Sequence, residues 1–292
     1  MRKLFFIINP ISGNGKNTSL EKFISSNLVR QTEIQYEIRH TLHGGHASEL
    51  TREALDHHFD AVIVAGGDGT INEVASHLVN TNTALGIIPV GSGNGVARHF
   101  KVPFNIKKNL DMIIRGKTTL LDVGTANNKI FLSNAGLGYD AAVIKDYAYQ
   151  QRHGFISYFF SAIRSTFFFS VPKVHLSVNG NAFPVNAFFF SALNGSQFGY
   201  NISLDRNART DDGLLDFVIL DTKSRLKAIF VAICVLFKGK PRLEGFTTVH
   251  SQNATVHFPG QRLSLQIDGE PSVVEDQLEF KVLPGAIKVI VP

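Results

Sequence analysis

One cysteine, two methionines and no tryptophan occur in 292 residues, and each scarcity removes a class of answer. Cys234 alone can close no intramolecular disulfide and has no second thiolate for a metal centre, so neither crosslinks nor a cysteine zinc site hold this fold. It lies in an apolar run, where a buried, inert thiol is expected. Long apolar runs are missing as well. The longest, Ala228 to Phe237, has ten residues and is flanked by Lys227 and Lys238, whereas a bilayer span needs ~20. The start, MRKLFFIINP, has five apolar residues before Asn9-Pro10, too few for a signal-peptide core. It reads as the first strand of a cytoplasmic protein. Net charge is +5 with a pI near 9.3, which favours anionic partners in general. There is nevertheless no Lys/Arg-rich block, zinc-finger spacing or aromatic RNA-binding signature. No nucleic-acid partner is expected; a nucleic-acid module suggested by charge alone would have to show strongly salt-dependent affinity.

What is present is a globular composition, 44% hydrophobic and 18% charged with 24 phenylalanines, in a chain comfortable for two domains. The centre of its organisation is Val62 to Val74, VIVAGGDGTINEV. A buried strand runs into Gly66-Gly67-Asp68-Gly69-Thr70, and a helix carrying Ile71, Asn72 and Glu73 follows. Three glycines let the backbone approach a ligand closely, and the turn N–H groups with the helix N-terminus make a positive cradle for phosphate. Asp68 would repel that phosphate unless a divalent cation stood between them, which points to a nucleotide with Mg²⁺. The competing reading is an ordinary tight strand-to-helix turn.

The same unit repeats along the first part of the chain. Lys3 to Ile8 ends in Asn9-Pro10 and the loop 11–16, Ile34 to His40 ends at Thr41, and Ala84 to Pro89 ends in the glycine loop 90–98. Strand, polar loop and helix repeated in this way mean a parallel sheet, with ligands beyond the carboxyl ends of its strands. The loops 9–16, 41–46, 66–70 and 90–95 therefore converge on one edge. From about Leu120 the texture changes to short strands at 120–124, 130–134, 174–178, 187–191, 215–219, 254–258 and 263–267, the spacing of a β-sandwich. Segments 141–171 and 228–237 are helical in texture. Two domains, 1–120 and 121–292, are expected, with 286–291 able to return to either.

Seven motifs now carry a family resemblance: NPISG (9–13), GGDGTINE (66–73), PVGSGN (89–94), DVG (122–124), NAGLGYD (134–140), DDGLLD (211–216) and DGE (268–270). In this order, spread over the whole chain, they resemble the diacylglycerol and sphingosine kinases, in particular the soluble bacterial members. The resemblance implies an α/β plus all-β protein. A doubly wound Rossmann-like nucleotide domain of the NAD kinase/phosphofructokinase kind would precede a β-sandwich lipid domain, with the site in the cleft between them. It implies transfer of the γ-phosphoryl of Mg²⁺-bound ATP to a lipid hydroxyl, first of all diacylglycerol to give phosphatidic acid. ATP would contact Asn9, Pro10, Ser12 and Gly13, then Thr41, Gly66, Gly67, Asp68, Gly69, Thr70, Ile71, Asn72 and Glu73, and Gly91, Ser92, Gly93 and Asn94. Soluble relatives often carry Thr at the position of Ser92; either residue supplies the hydroxyl.

Such chemistry needs a positioned donor, neutralised charge and a base for the attacking hydroxyl. Asp68 suits the Mg²⁺·ATP role. Asp268 and Glu270, flanking Gly269, are both candidates for the base, with Glu270 slightly favoured; without the family they would read as an Asp-Gly β-turn. In some relatives the DDGLLD loop binds a structural Mg²⁺, which here would take Asp212 and the carbonyls of Arg209 and Leu214. An ordinary turn before a strand is the equal alternative. Phe155, Tyr158, Phe159, Phe160, Ile163, Phe167, Phe168 and Phe169 fall in one helical stretch with Arg152, Arg164 and Lys173 around it. They are either core or a surface for acyl chains and anionic headgroups, so peripheral membrane contact is expected alongside the lipid substrate. The early histidines form no metal constellation. Other readings are a sphingoid-base or other lipid-alcohol kinase, an NAD kinase, and a silent nucleotide- and lipid-binding relative; a homodimer is also open, since relatives include dimers.

Overall fold

The runs LFFII (4–8) and VIVA (62–65) are apolar without alternation, as strands covered on both faces must be, and both are buried throughout. The computed structural model describes residues 1–12, 17–91, 94–148, 155–195, 208–238 and 244–292. The chain divides into two compact units, residues 1–121 with 285–292, and residues 122–284.

The first unit runs β1 (Arg2–Ile8), α1 (Asn17–Leu28), β2 (Ile34–His40), α2 (His46–Asp56), β3 (Ala61–Gly66), α3 (Asp68–Leu78), β4 (Ala84–Pro89), α4 (Gly95–His99) and α5 (Ile106–Arg115). Its strands pair in parallel in the order β2-β1-β3-β4. The order reverses after β2, so right-handed crossovers put α1 on one face and α2 and α3 on the other. That reversal leaves a crevice at the carboxyl ends of β1 and β3. Helix α5 lacks a sequence signal as strong as the strands. It is fixed by Asn105, whose side chain accepts from Lys108 N, and by Gly116 at φ 65 as its C-cap.

The second unit begins within β5 (Thr118–Ala126) and continues as β6 (Lys129–Phe131), β7 (Asn134–Gly138), α6 (Tyr139–Ala148), α7 (Phe155–Phe168), β8 (Lys173–Val178), β9 (Asn181–Leu193), β10 (Leu215–Asp221), α8 (Arg225–Lys238), β11 (Phe246–Ser251), β12 (Asn253–Ile267) and β13 (Glu270–Ile290). The segments expected at 254–258 and 263–267 are one strand, β12, irregular in register between Phe258 and Arg262. Strand β13, most of it unmarked in the sequence, carries the chain back to the first unit, where Val289 pairs with Leu85 of β4. All pairings of β7 to β13 within the second unit are antiparallel.

Two cores lie on opposite faces of this antiparallel sheet. Phe190 and Phe217 meet Phe280 at centroid distances of 5.7 and 5.8 Å inside the β-layers. Phe188, Val218, Leu220 and Phe246 point the other way and are covered by Ala228 and Val231 of α8 and by Phe169 just after α7. The phenylalanines thus supply the bulk that tryptophan would otherwise provide. Phe217→Ala should cost about 3–5 kcal/mol, read as a lowered midpoint in urea unfolding.

Candidate active site

The first unit gathers four loops at the carboxyl ends of its strands, those after β1, β2, β3 and β4. Asn9, the residue after β1, donates from Nδ2 to Thr70 Oγ1 at 3.0 Å. Its Oδ1 accepts from Ile11 N at 3.0 Å, so one side chain shapes its own loop and holds it to the Gly66–Thr70 turn. Thr41, after β2, is buried, and its backbone N–H donates to Ile8 O. The glycine loop after β4 comes closer still: a Cβ on Gly91 would lie 2.6 Å from Gly67 Cα, so glycine is required there.

Asp68 joins the two glycine loops. Its Oδ2 accepts from Gly95 N and its Oδ1 from Val96 N, both at 3.0 Å, which caps the start of α4. Burial raises its pKa, while those two N–H bonds and the charge of Arg98 pull the other way. The sequence placed this carboxylate against a nucleotide cation; the structure shows that it also serves as a hinge pin between loops. Each oxygen keeps a lone pair beyond its N–H bond, which fits a hard cation carried chiefly by phosphate oxygens. Among the described residues no group of three His, Cys, Asp or Glu side chains could hold a metal by itself.

Other expected contacts change character. Ile71 is wholly buried, so its side chain belongs to the core and cannot touch a nucleotide. Glu73 accepts from Gly45 N at 3.2 Å and ties the 41–46 loop to α3, a fastening rather than a phosphate contact. Asn94, at φ 52, donates to Gly91 O at 2.6 Å, while its buried Oδ1 has no hydrogen-bond partner among the described residues. That orphan acceptor suits a nucleotide amine or hydroxyl. Pro10 is exposed, and Ser12 N donates to Asn9 O. Gly67, Gly69 and Asn72 lie in or directly after the turn, half-buried. Gly13, Ser92 and Gly93 lie outside the described residues.

In the second unit the Asp-Gly pair closes β12 and β13 as a two-residue hairpin, with Asp268 at φ 48 and Gly269 at φ 85 between the paired Ile267 and Glu270. Both positive angles are what a type I′ turn demands. The turn reading was therefore right about the backbone. The side chain does more: Asp268 is buried and accepts from Leu132 N (2.8 Å), Ser133 N (2.8 Å) and Asn134 N (3.1 Å). Glu270, one residue past the turn, is exposed. A carboxylate accepting three backbone N–H groups is poorly placed to reach a substrate proton, whereas an exposed one is not.

Beneath the hairpin lies a buried set that joins the two ends of the NAGLGYD motif, Asn134 and Asp140, to Gln266, which no motif singled out. Gln266 Oε1 accepts from Gly269 N at 3.0 Å, and its Nε2 donates to Asn134 Oδ1 (2.5 Å) and Asp140 Oδ2 (3.2 Å). Burial pushes the Asp140 carboxyl up to about 7, with the Gln266 amide acting against it. In an alternating strand, Gln266 between Leu265 and Ile267 reads as solvent-facing; only the cover of α6 makes it interior.

The DDGLLD loop departs from a ready metal cage. Asp212 is exposed, and its Oδ1 accepts from Leu214 N at 3.1 Å in an Asx-turn. Arg209 holds Asp211 with Nε and Nη2 at 3.0 and 3.2 Å. The loop is anchored from β5, where buried Asp122 accepts from Gly213 N at 2.7 Å and its own N donates to Thr210 O. Hard oxygen donors are present, so the loop is chemically compatible with Mg²⁺. Its fold, however, is already explained by hydrogen bonds alone.

Comparison with known proteins agrees with this layout. Residues 3–126 match the diacylglycerol kinase catalytic domain, and residues 133–291 match the YegS C-terminal NAD kinase beta sandwich-like domain. The chain is similar to the diacylglycerol kinase of Bacillus subtilis (strain 168), 27% identical over 92% of this chain and 90% of that one. It is also similar to the diacylglycerol kinase of Mycobacterium tuberculosis (strain ATCC 25618 / H37Rv), 28% identical over 99% and 95%. A crystal structure of a diacylglycerol kinase from Bacillus anthracis str. Sterne matches with a TM-score of 0.78, covering 100% of this chain and 97% of that one. At 21% identity this last is a likeness of fold alone. With one domain model matching each part, the chain belongs to the diacylglycerol kinase-like family of lipid kinases, and the protein is a phosphotransferase.

Proposed function

We propose that the protein moves the γ-phosphoryl of ATP to the hydroxyl of a lipid, with diacylglycerol the first acceptor to test. The observation that carries this reading is the joining of the loops after β1, β3 and β4 by Asn9, Thr70 and Asp68 at the point where a Rossmann-like sheet receives a nucleotide. The backbone N–H groups of Gly66 to Thr70 and the start of α3 would hold the phosphates. Mg²⁺, bound to those phosphates and to Asp68, would neutralise charge on the transferring group. Glu270 would take the proton from the lipid hydroxyl, and Asp268 would hold the hairpin that presents it. Asp212 with the carbonyls of Arg209 and Leu214 would hold a structural Mg²⁺.

The test is label transfer from γ-labelled ATP with Mg²⁺ to a panel of detergent-dispersed diacylglycerol, sphingoid base and phosphatidylglycerol. Wild type should label one of them, and Asp68→Ala should reduce transfer at least 100-fold, in line with the loss of a major transition-state contact. Binding of ATP without transfer to any lipid alcohol would count against the reading and in favour of a silent relative.

A further inference from the structure

The stretch from Asn134 to Asp140 builds a seat for one carboxyl group. Strand β7 ends at Gly138, where φ is 90 and a Cβ would lie 2.7 Å from Phe188 O, so only glycine lets the chain turn there into α6. The turn brings Asp140 back beside Gly136. A Cβ on Gly136 would lie 2.4 Å from Asp140 Oδ2 and 2.7 Å from Phe190 O, so the missing side chain is the space the carboxyl occupies. Asp140 is buried in the first turn of α6. Its Oδ2 accepts from Gln266 Nε2, whereas its buried Oδ1 has no hydrogen-bond partner among the described residues. The N–H groups of Asp140 and Ala141 favour its charge without completing a hydrogen bond to Oδ1. A carboxyl buried in this way costs stability that an apolar side chain would not, so its presence calls for a role.

The carboxyl orients an amide. Gln266 Nε2 carries two hydrogens, one donated to Asn134 Oδ1 and one to Asp140 Oδ2. Asn134 is itself held, its Nδ2 donating to Ser133 Oγ at 3.2 Å. With two acceptors on one side, the Gln266 amide can point only one way, and its Oε1 is left facing Gly269 N at 3.0 Å. Reversed, it would set a donor against a donor. The hairpin is thus tied to its surroundings at successive residues: Asp268 N donates to Asn134 O at 2.9 Å, the Asp268 carboxylate takes the N–H groups of residues 132–134, and Gly269 N is held by Gln266. The last of these ties is the one next to Glu270.

We propose that Gln266 and Asp140 are positioning residues for phosphoryl transfer, which fix through Gly269 N the turn from which Glu270 projects and hence the place of its carboxylate. This inference rests on the reading of Glu270 as the base and extends it to two buried residues.

The experiment is steady-state kinetics of the full chain with Mg²⁺-ATP and detergent-dispersed diacylglycerol, or whichever of sphingoid base and phosphatidylglycerol wild type labels, beside urea unfolding of each variant. Gln266→Glu keeps an acceptor for Gly269 N but sets a carboxylate oxygen against Asp140 Oδ2 and Asn134 Oδ1. It should lower kcat by about tenfold to a hundredfold, the scale of a misplaced reacting group, with KM for ATP within about twofold of wild type. Gln266→Glu/Asp140→Asn exchanges acid and amide, so the new amide can donate to the new carboxylate, and most of the lost kcat should return. A purely structural role would shift the urea midpoint and leave kcat of the folded protein unchanged. Where Gln266→Glu does not fold, Asp140→Ala, which removes only the acceptor, carries the test with an expected loss in kcat of about fivefold or more. Wild-type kcat in both folded single variants overturns the proposal, as does a loss that the double variant fails to recover. If Glu270→Gln has lost kcat in the same assay, that result leaves Glu270 as the base. Wild-type kcat in Glu270→Gln, or no transfer by wild type to any of the lipids, overturns both readings together.

Discussion

With Glu270 as the proposed base, Glu270→Gln is expected to lower kcat by about 10²–10⁴-fold with thermal stability unchanged, the usual cost of removing a general base. The residue is exposed at the first position of β13, so the amide fits without disturbing the core. Asp268→Asn will behave differently. Its carboxylate accepts from three backbone N–H groups in a buried corner, and an amide presents only one acceptor oxygen to those three donors. Leaving buried donors unsatisfied costs about 1–3 kcal/mol each way it occurs, so this variant should lose stability first and activity in consequence. Steady-state kinetics and denaturant unfolding of both variants decide the assignment. Retained kcat in Glu270→Gln, with an activity loss in Asp268→Asn that exceeds its stability loss, would transfer the base to Asp268.

The second large effect is on stability against pH. Burial raises the Asp140 carboxyl from the ordinary 3.8 to about 7. Between those values the native state keeps a proton that the unfolded chain has released. Stability from this group is therefore fully present below about pH 4, declines as pH rises toward 7, and stays low above it. About three pH units at 1.36 kcal/mol each makes ~4 kcal/mol the upper scale of the effect. Asp140→Asn, neutral at every pH, should match wild type near pH 4 and exceed it by a few kcal/mol at pH 8. Urea midpoints measured across pH 4–8 test this; parallel curves for the two proteins would falsify the assignment. Because Gln266 links Asp140 to Gly269 N, the same titration should also be felt at the hairpin that carries Glu270.

Strands β1, β3 and β4 of the first unit were readable as short apolar runs closed by glycine, proline or asparagine, and β2 by the alternation of Ile34, Tyr36 and Ile38. Strand β2 from Ile34 to His40 and strand β4 from Ala84 to Pro89 have the bounds the sequence suggests. The helices at 141–171 and 228–237 were readable by texture but not in orientation. Periodicity says that α7 is amphipathic; it cannot say which face is inside. The structure answers this through Tyr139, whose hydroxyl bonds Ala162 O across 23 residues. Most of β13 was invisible because its residues alternate on faces that only their neighbours define.

What the sequence by itself determined is the set of loops: glycines where the backbone must turn or approach closely, and a carboxylate in each of the two central turns. Those are local requirements of φ, ψ and charge, and they are written residue by residue. What only the tertiary structure decided is the partner of each side chain. Asp68 caps a helix 27 residues away, Asp268 holds a corner 134 to 136 residues away, and Gln266 lies under α6 beside Asp140. Hydrogen bonds at such separations depend on where packing brings the backbone. Local propensity carries no information about that placement, so the residue types were visible in the sequence and their roles were not.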